Sequence, residues 1–286
     1  MDETAARIEA LIHEDVGRGI QALCFAAKGG LVRAASAIAA TAKPRIGIMT
    51  GFYVPGGTPP AAETDGPAGA ALMALGFSRA GLDCRVLTDA LCRDACSAAL
   101  AGAGLTEVPV DSGDGIAAWR AAGIDWAIAI ERCGRSADGT LRNMRGDVVA
   151  GMPLDDVFTA GPWRTVAIGD GGNEVGMGAL PPGLIAAHVA HGQKIACVTP
   201  AEHLIVAGVS HWGAYALLAV LAAARRDWRD GLLSVLDPAV DRAIVAALVA
   251  EGPAVDGVTL KQAPTIDGLD MTAHGGKLVA VRAAVL

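Results

Sequence analysis

Short apolar segments alternate with segments of helical periodicity along most of this 286-residue chain. Strands separated in this way by helices run parallel, because each parallel pair needs a long crossover connection. A parallel sheet is buried on both faces and must be covered on both. The sequence therefore predicts an α/β fold with a mostly parallel sheet, helices on both faces and three layers. The predicted strands are Arg45–Gly51, Cys84–Thr88, Glu107–Val110, Trp126–Ile130, Val166–Ile168, Ile195–Val198 and Leu204–Val209.

The segments around these strands carry apolar residues at three- and four-residue intervals, which predicts helices. They cover about 1–14, 31–42, 67–80, 90–103, 115–122, 183–191, 212–224 and 237–250, with a short helix at Asp155-Asp156. A strand and turn at Thr265–His274 precede a closing helix. The segment Phe52 to Pro60 is too rich in Gly and Pro for regular structure. No repeat or linker divides the chain, so we predict one domain over residues 1–286.

The composition favours a protein that acts on small molecules. Acidic residues exceed Lys plus Arg by 30 to 23, and the net charge of −7 argues against binding to nucleic acids or anionic membranes. The apolar segment Ala201–Arg225 is interrupted by polar residues, and its apolar part is shorter than the roughly 20 residues of a membrane span. We therefore predict a small-molecule partner, neither nucleic acid nor membrane, and allow for a homo-oligomer.

The cysteines and the N-terminus indicate a cytoplasmic protein. The six cysteines show no Cys-x-x-Cys spacing, which predicts reduced thiols rather than a metal clamp or a disulfide framework. Residues 1–14 mix acids with apolar residues and lack the basic start and apolar run of a signal peptide. We therefore predict cytoplasmic localisation.

The segment Gly169–Gly178 is the strongest candidate for an active-site floor. Its residues, Gly-Asp-Gly-Gly-Asn-Glu-Val-Gly-Met-Gly, follow an apolar strand and lead into a helix-compatible segment, so they belong at the carboxyl edge of the sheet. The acids Asp170 and Glu174, with Asn173, suit a hard cation or acid/base catalysis better than a phosphate. Neither a Walker motif nor a dinucleotide fingerprint is present, so no NAD is predicted. Local roles as a turn residue and a first-turn helix acid remain open for Asp170 and Glu174.

Further acids and arginines lie near predicted strand ends. Glu63 and Asp65 follow the Gly/Pro-rich loop, where one of them is in excess of what helix capping needs. Glu131 directly follows the strand Trp126–Ile130 and has Arg132 and Arg135 close after it. The alternative is a solvated loop with weak surface ion pairs. The candidates also include Arg18, which is flanked by glycines, although an arginine beside a turn is more commonly a surface residue, and Ser210, which could simply cap a helix.

Three stretches resemble the D-glutamate cyclase family, specifically the C-terminal portion of its two-part members. They are Glu63-Thr64-Asp65-Gly66-Pro67, then Ile130-Glu131-Arg132 with Gly134-Arg135 and Ala137-Asp138-Gly139, and Gly169–Glu174 with Gly176-Met177-Gly178. Ala207–Ser210 and Trp212-Gly213 continue the similarity, which runs from about residue 13 to 280. The resemblance implies a lyase that cyclises D-glutamate to 5-oxo-D-proline with loss of water.

We combine these observations into a hypothesis about the site, in which a divalent metal, Mg²⁺ or Mn²⁺, polarises the substrate carboxylate. The predicted catalytic residues are Asp170, Glu174 and Glu131; the predicted substrate-binding residues are Arg18, Arg132, Arg135, Asn173 and Ser210; the predicted metal ligands are Glu63, Asp65, Glu131 and Asp170. Pyridoxal phosphate is not predicted, because no lysine ends a buried strand. Two other classes stay open: a metal-dependent hydrolase or phosphatase, and a non-catalytic binder of an amino acid or nucleotide.

Overall fold

A computed structural model describes residues 2–113 and 115–286. Its main sheet has six strands in the order β5-β4-β1-β6-β7-β8, and all neighbouring strands are parallel. Two small antiparallel pairs, β2 with β3 and β9 with β10, lie outside it. The strands are β1 Ile46–Thr50, β2 Tyr53–Val54, β3 Ala61–Ala62, β4 Cys84–Thr88, β5 Val110–Ser112, β6 Trp126–Ile130, β7 Arg164–Gly169, β8 His203–Val206, β9 Thr265–Ile266 and β10 Leu269–Asp270.

Helices cover both faces of the main sheet, which confirms the predicted α/β fold and its three layers. One apolar cluster joins one face to residues of α1, α3, α4, α5 and α10 to α13, and a second joins the other face to residues of α2 and α6 to α9. The helices are α1 Asp2–Ile12, α2 Gln21–Ala27, α3 Gly30–Ala39, α4 Pro67–Arg79, α5 Arg93–Gly102, α6 Ile116–Ala122, α7 Asp155–Ala160, α8 Leu184–His188, α9 Gly192–Ile195, α10 Ser210–Ala224, α11 Arg229–Val235, α12 Pro238–Glu251 and α13 Met271–Ala283.

Alternation along the central strands divides their side chains between the two clusters. In β1, Ile48 packs into the first cluster and Met49 into the second, and in β6 the same holds for Ile128 and Ala129. Successive side chains of a strand point to opposite faces, so a strand that is apolar throughout supplies core on both sides. This is why β1 and β6 are buried along their whole length.

The reversal in the strand order indicates where a ligand site is expected. From β1 the chain moves outward through β4 to β5, then returns to β6 on the other side of β1 and moves outward again through β7 to β8. In open α/β sheets, the crevice at such a reversal, beyond the carboxyl ends of the strands, is the usual ligand site. The carboxyl ends of β1, β6 and β7 are therefore the place to look for one.

The structure differs from the sequence prediction on both sides of the central loop. No helix directly follows Gly169–Gly178; isolated bridges such as Cys133 with Glu174 fix that segment, and the next helix is α8. The strand predicted at Ile195–Val198 was wrong, because Ile195 ends α9 and the N–H of Cys197 donates to Gly172 O. This segment packs on the loop instead of extending the sheet. The helix predicted at 183–191 is shorter, and α9 follows it.

The helices and the cysteines of the described residues bear on membrane insertion and on disulfide formation. No single helix among them is long and apolar enough to cross a membrane, although the bent pair α2 and α3 passes a test of length and composition when taken together. Both helices contribute buried residues to the apolar clusters. All six cysteines are free thiols and buried.

A glycine at the start of α3 lets that helix approach the sheet edge, and its replacement should destabilise the fold. A Cβ atom at Gly30 would lie 1.8 Å from the carbonyl oxygen of Leu204 on β8. Gly30→Ala is expected to lower the free energy of unfolding by about 2–3 kcal/mol through overpacking against backbone. The control is Gly276→Ala in α13, where no atom lies within 4 Å and helix propensity predicts a gain of about 0.5–1 kcal/mol. Equal urea midpoints for the two variants would contradict the predicted close approach.

Candidate functional site

A cavity of about 330 Å³ opens at the carboxyl ends of β1, β6 and β7. This is the edge of the sheet that the strand order indicates. Most of its lining comes from loops rather than from the strands themselves. The lining residues are Gly17, Arg18, Phe52, Tyr53, Val54, Pro55, Gly56, Glu63, Glu131, Asn143, Met144, Arg145, Asp170, Asn173, Glu174, Ala190, Gly257, Val258 and Asp267.

Carboxylates from distant parts of the chain meet in and beneath this cavity. Two groups have oxygen atoms within 4.8 Å of one another: Asp65 with Asp170 and Asp267, and Glu131 with Asp170 and Glu174. Asp170 belongs to both groups and therefore lies at the centre of the site. Glu63 lines the cavity but belongs to neither group. Four of the five acids predicted from the sequence are thus brought together, and Asp267 joins them.

The carboxylate of Asp170 is held by two distant parts of the chain. The carboxylate forms an ion pair with Arg18 and accepts a hydrogen bond from the N–H of Ser210 at 2.8 Å. Ser210 is the first residue of the 15-residue helix α10, whose N-terminus favours a negative charge. The hydroxyl of Ser210 donates to Glu131 Oε2 at 2.6 Å, so this serine orients two acids at once.

Arg18 balances part of the negative charge. Its guanidinium also contacts Asp267 at 2.5 Å, and the loop before it is fixed by Asp15, which accepts the N–H groups of Gly17 and Arg18. Burial alone would lower the pKa of Arg18, but the charges of Asp170 and Asp267 raise it well above its ordinary value. Arg18 is therefore a fixed cation between two aspartates.

Glu174 folds the central loop back on itself. Its carboxylate accepts hydrogen bonds from the N–H groups of Asp170 at 3.1 Å, Gly171 at 2.6 Å and Gly172 at 2.7 Å. Burial and then the charge of Asp170 raise the pKa of Glu174 to about 7, although the N–H groups oppose this shift. Glu174 thus shapes the loop and is also a carboxyl group that titrates near neutrality.

The other three acids, Glu63, Asp65 and Glu131, are also buried, where a charged carboxylate is unfavourable unless it is paired. Burial, followed by the charges of Asp267 and Asp170, raises the pKa of both Glu63 and Asp65 well above the ordinary range. The pKa of Glu131 is also raised well above the ordinary range, by burial and then by the charges of Asp170 and Glu174. Groups in such a site either take up protons or bind a cation, because uncompensated buried charge is costly.

Two carboxylate oxygens are suited to a cation. Asp65 Oδ2 and Asp267 Oδ2 are buried and have no hydrogen-bond partner among the residues that the structure describes. Burial raises the pKa of Asp267 to about 7, Arg18 opposes this, and Asp170 adds to it. Since hard cations such as Mg²⁺ and Mn²⁺ prefer carboxylate oxygens, the donor set fits such an ion.

The backbone of Glu131 adopts an unusual conformation. Its φ is +41°, in the left-handed region that non-glycine residues rarely occupy, and its N–H donates to Ile168 O at 3.2 Å. Strain of this kind persists where surrounding contacts fix it, and it concentrates at functional sites. Here the turn directly after β6 brings the carboxylate within reach of Ser210.

Two predicted substrate-binding arginines do not line the cavity. Arg132 is fully buried and donates to Gly51 O at 2.7 Å and to Asp89 Oδ2 at 2.8 Å, which ties together the ends of β1 and β4. Arg135 pairs with Asp156 at 2.9 Å near the surface. Arg132 follows the turn at Glu131, and its side chain leaves the backbone in a different direction from that of Glu131. The structure therefore gives these two arginines structural contacts.

Asn173 does line the cavity, and its amide Nδ2 donates to Arg142 O at 2.8 Å. This bond connects the central loop to the turn that carries Asn143, Met144 and Arg145, which also line the cavity. Sequence reasoning assigned no role to that turn, because its polar residues are typical of any surface loop.

Asp267 was also missed by sequence reasoning. It lies between β9 and β10 with φ of +53°, and its Asp-Gly sequence is explained locally as a hairpin turn. The hairpin is fixed to α10 by His274, whose Nδ1 accepts from Trp212 Nε1 at 2.9 Å and whose Nε2 donates to Ile266 O at 3.1 Å. No local signal in the sequence shows that this turn faces Arg18.

Comparisons with known proteins identify the family of this chain. A model of the family described as D-glutamate cyclase-like, C-terminal, matches residues 8–282. The chain is also similar to the human protein "D-glutamate cyclase, mitochondrial", with 42% identity over 103 residues. That match covers 34% of this chain and 17% of the human protein, so the matched segment is a small part of that relative. Because the family match spans nearly the whole chain and confirms the resemblance seen in the sequence, the chain belongs to the D-glutamate cyclase-like, C-terminal family.

Proposed function

We propose that this protein is a lyase that cyclises D-glutamate to 5-oxo-D-proline. In this reaction the amino nitrogen bonds to the carbon of the side-chain carboxylate, a C–O bond of that carboxylate breaks, and one water leaves. The observation that supports it best is the buried group of carboxylates around Asp170, beside the fixed cation Arg18. Such a site can bind an ammonium group and handle protons. The family membership supports the same reaction.

A divalent cation, Mg²⁺ or Mn²⁺, fits the donor set. Asp170 would hold it together with either Asp65 and Asp267 or Glu131 and Glu174. When bound, the ion supplies a Lewis acid that offsets the charge of the substrate carboxylate. The first of these groups contains the unpartnered oxygens Asp65 Oδ2 and Asp267 Oδ2, and a cation held there would leave Glu131 and Glu174 free for proton transfer.

The carboxyl groups of the site differ in the proton role that suits them. Glu174, with its pKa raised to about 7 by burial and by Asp170, can accept the ammonium proton near neutral pH. Glu131, whose pKa burial raises well above the ordinary range, is the acid we assign to give a proton to the departing oxygen. The Ser210 hydroxyl orients Glu131 for this transfer. Neighbouring acids whose surroundings shift their pKa values are typical of acid/base sites.

The geometry of the substrate also lowers the barrier to cyclisation. Ring closure is intramolecular, so a cavity that holds the amino group against the side-chain carboxylate removes much of the entropic barrier. The wall formed by Phe52, Val54 and Pro55 is apolar and can pack against the methylene groups of glutamate.

The proposal is tested by incubating the purified chain with D-glutamate or L-glutamate, in the presence of Mn²⁺ or of a chelator. We expect 5-oxoproline, identified by mass and chiral chromatography, from the D isomer with Mn²⁺ and little product with the chelator. Product that forms equally with the chelator would support the cyclase activity and contradict a need for the cation. Absence of product from both isomers with Mn²⁺ would contradict the cyclase, and the hydrolase and binder hypotheses would then be tested.

A further inference from the structure

The charges that line the cavity are unevenly distributed. Five carboxylates line it, and among the lining residues that the structure describes the only cationic side chains are Arg18 and Arg145. Arg18 is already paired with Asp170 and Asp267. The guanidinium of Arg145 makes no hydrogen bond or ion pair with any described residue, and Arg145 is exposed at the cavity rim. It is therefore the cation free to bind an anionic group of a ligand.

The turn that carries Arg145 is fixed relative to the acids. Asn143 Oδ1 accepts the backbone N–H groups of Arg145 at 2.9 Å and Asp147 at 3.0 Å, which closes the turn. The bond from Asn173 to Arg142 O attaches this turn to the central loop. Arg145 is thus presented from an ordered backbone that is connected to the loop carrying Asp170.

We propose that Arg145 binds the α-carboxylate of the substrate and determines specificity for it, an inference that rests on the proposed cyclase function. Glutamate has two carboxylates, of which only the side-chain one reacts. A guanidinium at the rim would hold the α-carboxylate by charge-assisted hydrogen bonds and direct the side-chain carboxylate toward the acids deeper in the cavity. The acidic floor would repel the α-carboxylate, whereas a divalent cation held by the acids would offset the charge of the side-chain carboxylate, so the α-carboxylate is expected at the rim beside Arg145.

The test compares Arg145→Gln with wild type on D-glutamate and on D-isoglutamine, in which a neutral amide replaces the α-carboxylate. We expect the variant to raise KM for D-glutamate by tenfold or more while kcat changes by less than about threefold, since the lost contact is to a group that does not react. For D-isoglutamine both constants should be unchanged. Arg145→Lys should restore part of the affinity, because it keeps the charge but loses the fork geometry.

The matched control is Arg226→Gln, which removes an exposed arginine in the segment between α10 and α11. It should leave both substrates unaffected. Equal losses on D-glutamate and D-isoglutamine, or no loss on D-glutamate, would overturn the role of Arg145 while the cyclase itself stands. Affinities are also measured by calorimetry. If the wild type forms no product, the cyclase fails, and Arg145 is then judged by whether its replacement weakens D-glutamate binding selectively.

Discussion

Replacing Asp170 by Asn should lower kcat for cyclisation by roughly 10²- to 10⁴-fold, the range typical for loss of a group in acid/base or electrostatic catalysis. Asp170 is the residue that both carboxylate groups share, and it pairs with Arg18. Asparagine has nearly the same shape and can still accept the hydrogen bond from Ser210. It loses the charge that a bound cation needs, while Arg18 keeps Asp267 as its partner, so the larger effect should be on activity rather than folding.

Asp227→Asn is the control for this experiment. Asp227 is an exposed acid that pairs with Arg225 at 2.6 Å, outside the cavity, and the same chemical change there should leave kcat unaltered. Circular dichroism and the thermal midpoint of each variant would establish that the fold is retained. An Asp170→Asn variant with more than half of the wild-type activity would remove Asp170 from the catalytic machinery.

Addition of Mn²⁺ should raise the thermal unfolding midpoint by several degrees, and by more at pH 8 than at pH 6. An ion present at about 100 times its dissociation constant stabilises the folded state by about 2.7 kcal/mol. Carboxylates must be deprotonated to bind it. Because burial and neighbouring charge raise the pKa values of Glu174 and Asp267 to about 7, protons compete with the ion at pH 6 and much less at pH 8.

Without the cation, Glu174 and Asp267 should make the protein less stable at pH 8 than at pH 6. Their pKa values are about 7 in the folded state and, for exposed carboxyls, about 4 in the unfolded state. The folded state therefore holds more protons between these pH values, and the stability contributed by protonation is lost as the pH rises from about 4 through about 7. The difference between samples with and without Mn²⁺ is consequently largest at pH 8.

Differential scanning calorimetry at both pH values measures this effect. Asp170→Asn should abolish most of the Mn²⁺-induced shift, whereas Asp227→Asn should preserve it. A shift that is absent at both pH values, or larger at pH 6, would contradict cation binding by these acids.

Several residues of the site could be predicted because their local sequence carries the signal. Asp170 and Glu174 lie among glycines directly after an apolar strand, and Glu131 ends another such strand, so the carboxyl edge of the sheet had to present them. Arg132 shows the limit of this argument. Its position in the sequence is one residue from Glu131, but only the tertiary structure shows that its guanidinium lies between Gly51 and Asp89.

The alternation of apolar strands with helices was determined by the sequence alone, because side-chain periodicity and the need to bury apolar surface act locally. The order of the strands depended on contacts between distant segments, as did the meeting of Asp267 with Arg18 and the position of Arg145 at the cavity. Asp-Gly at a turn and arginine in a polar loop have the same local chemistry wherever they occur. Their roles arise from packing and charge between segments that the chain brings together only on folding.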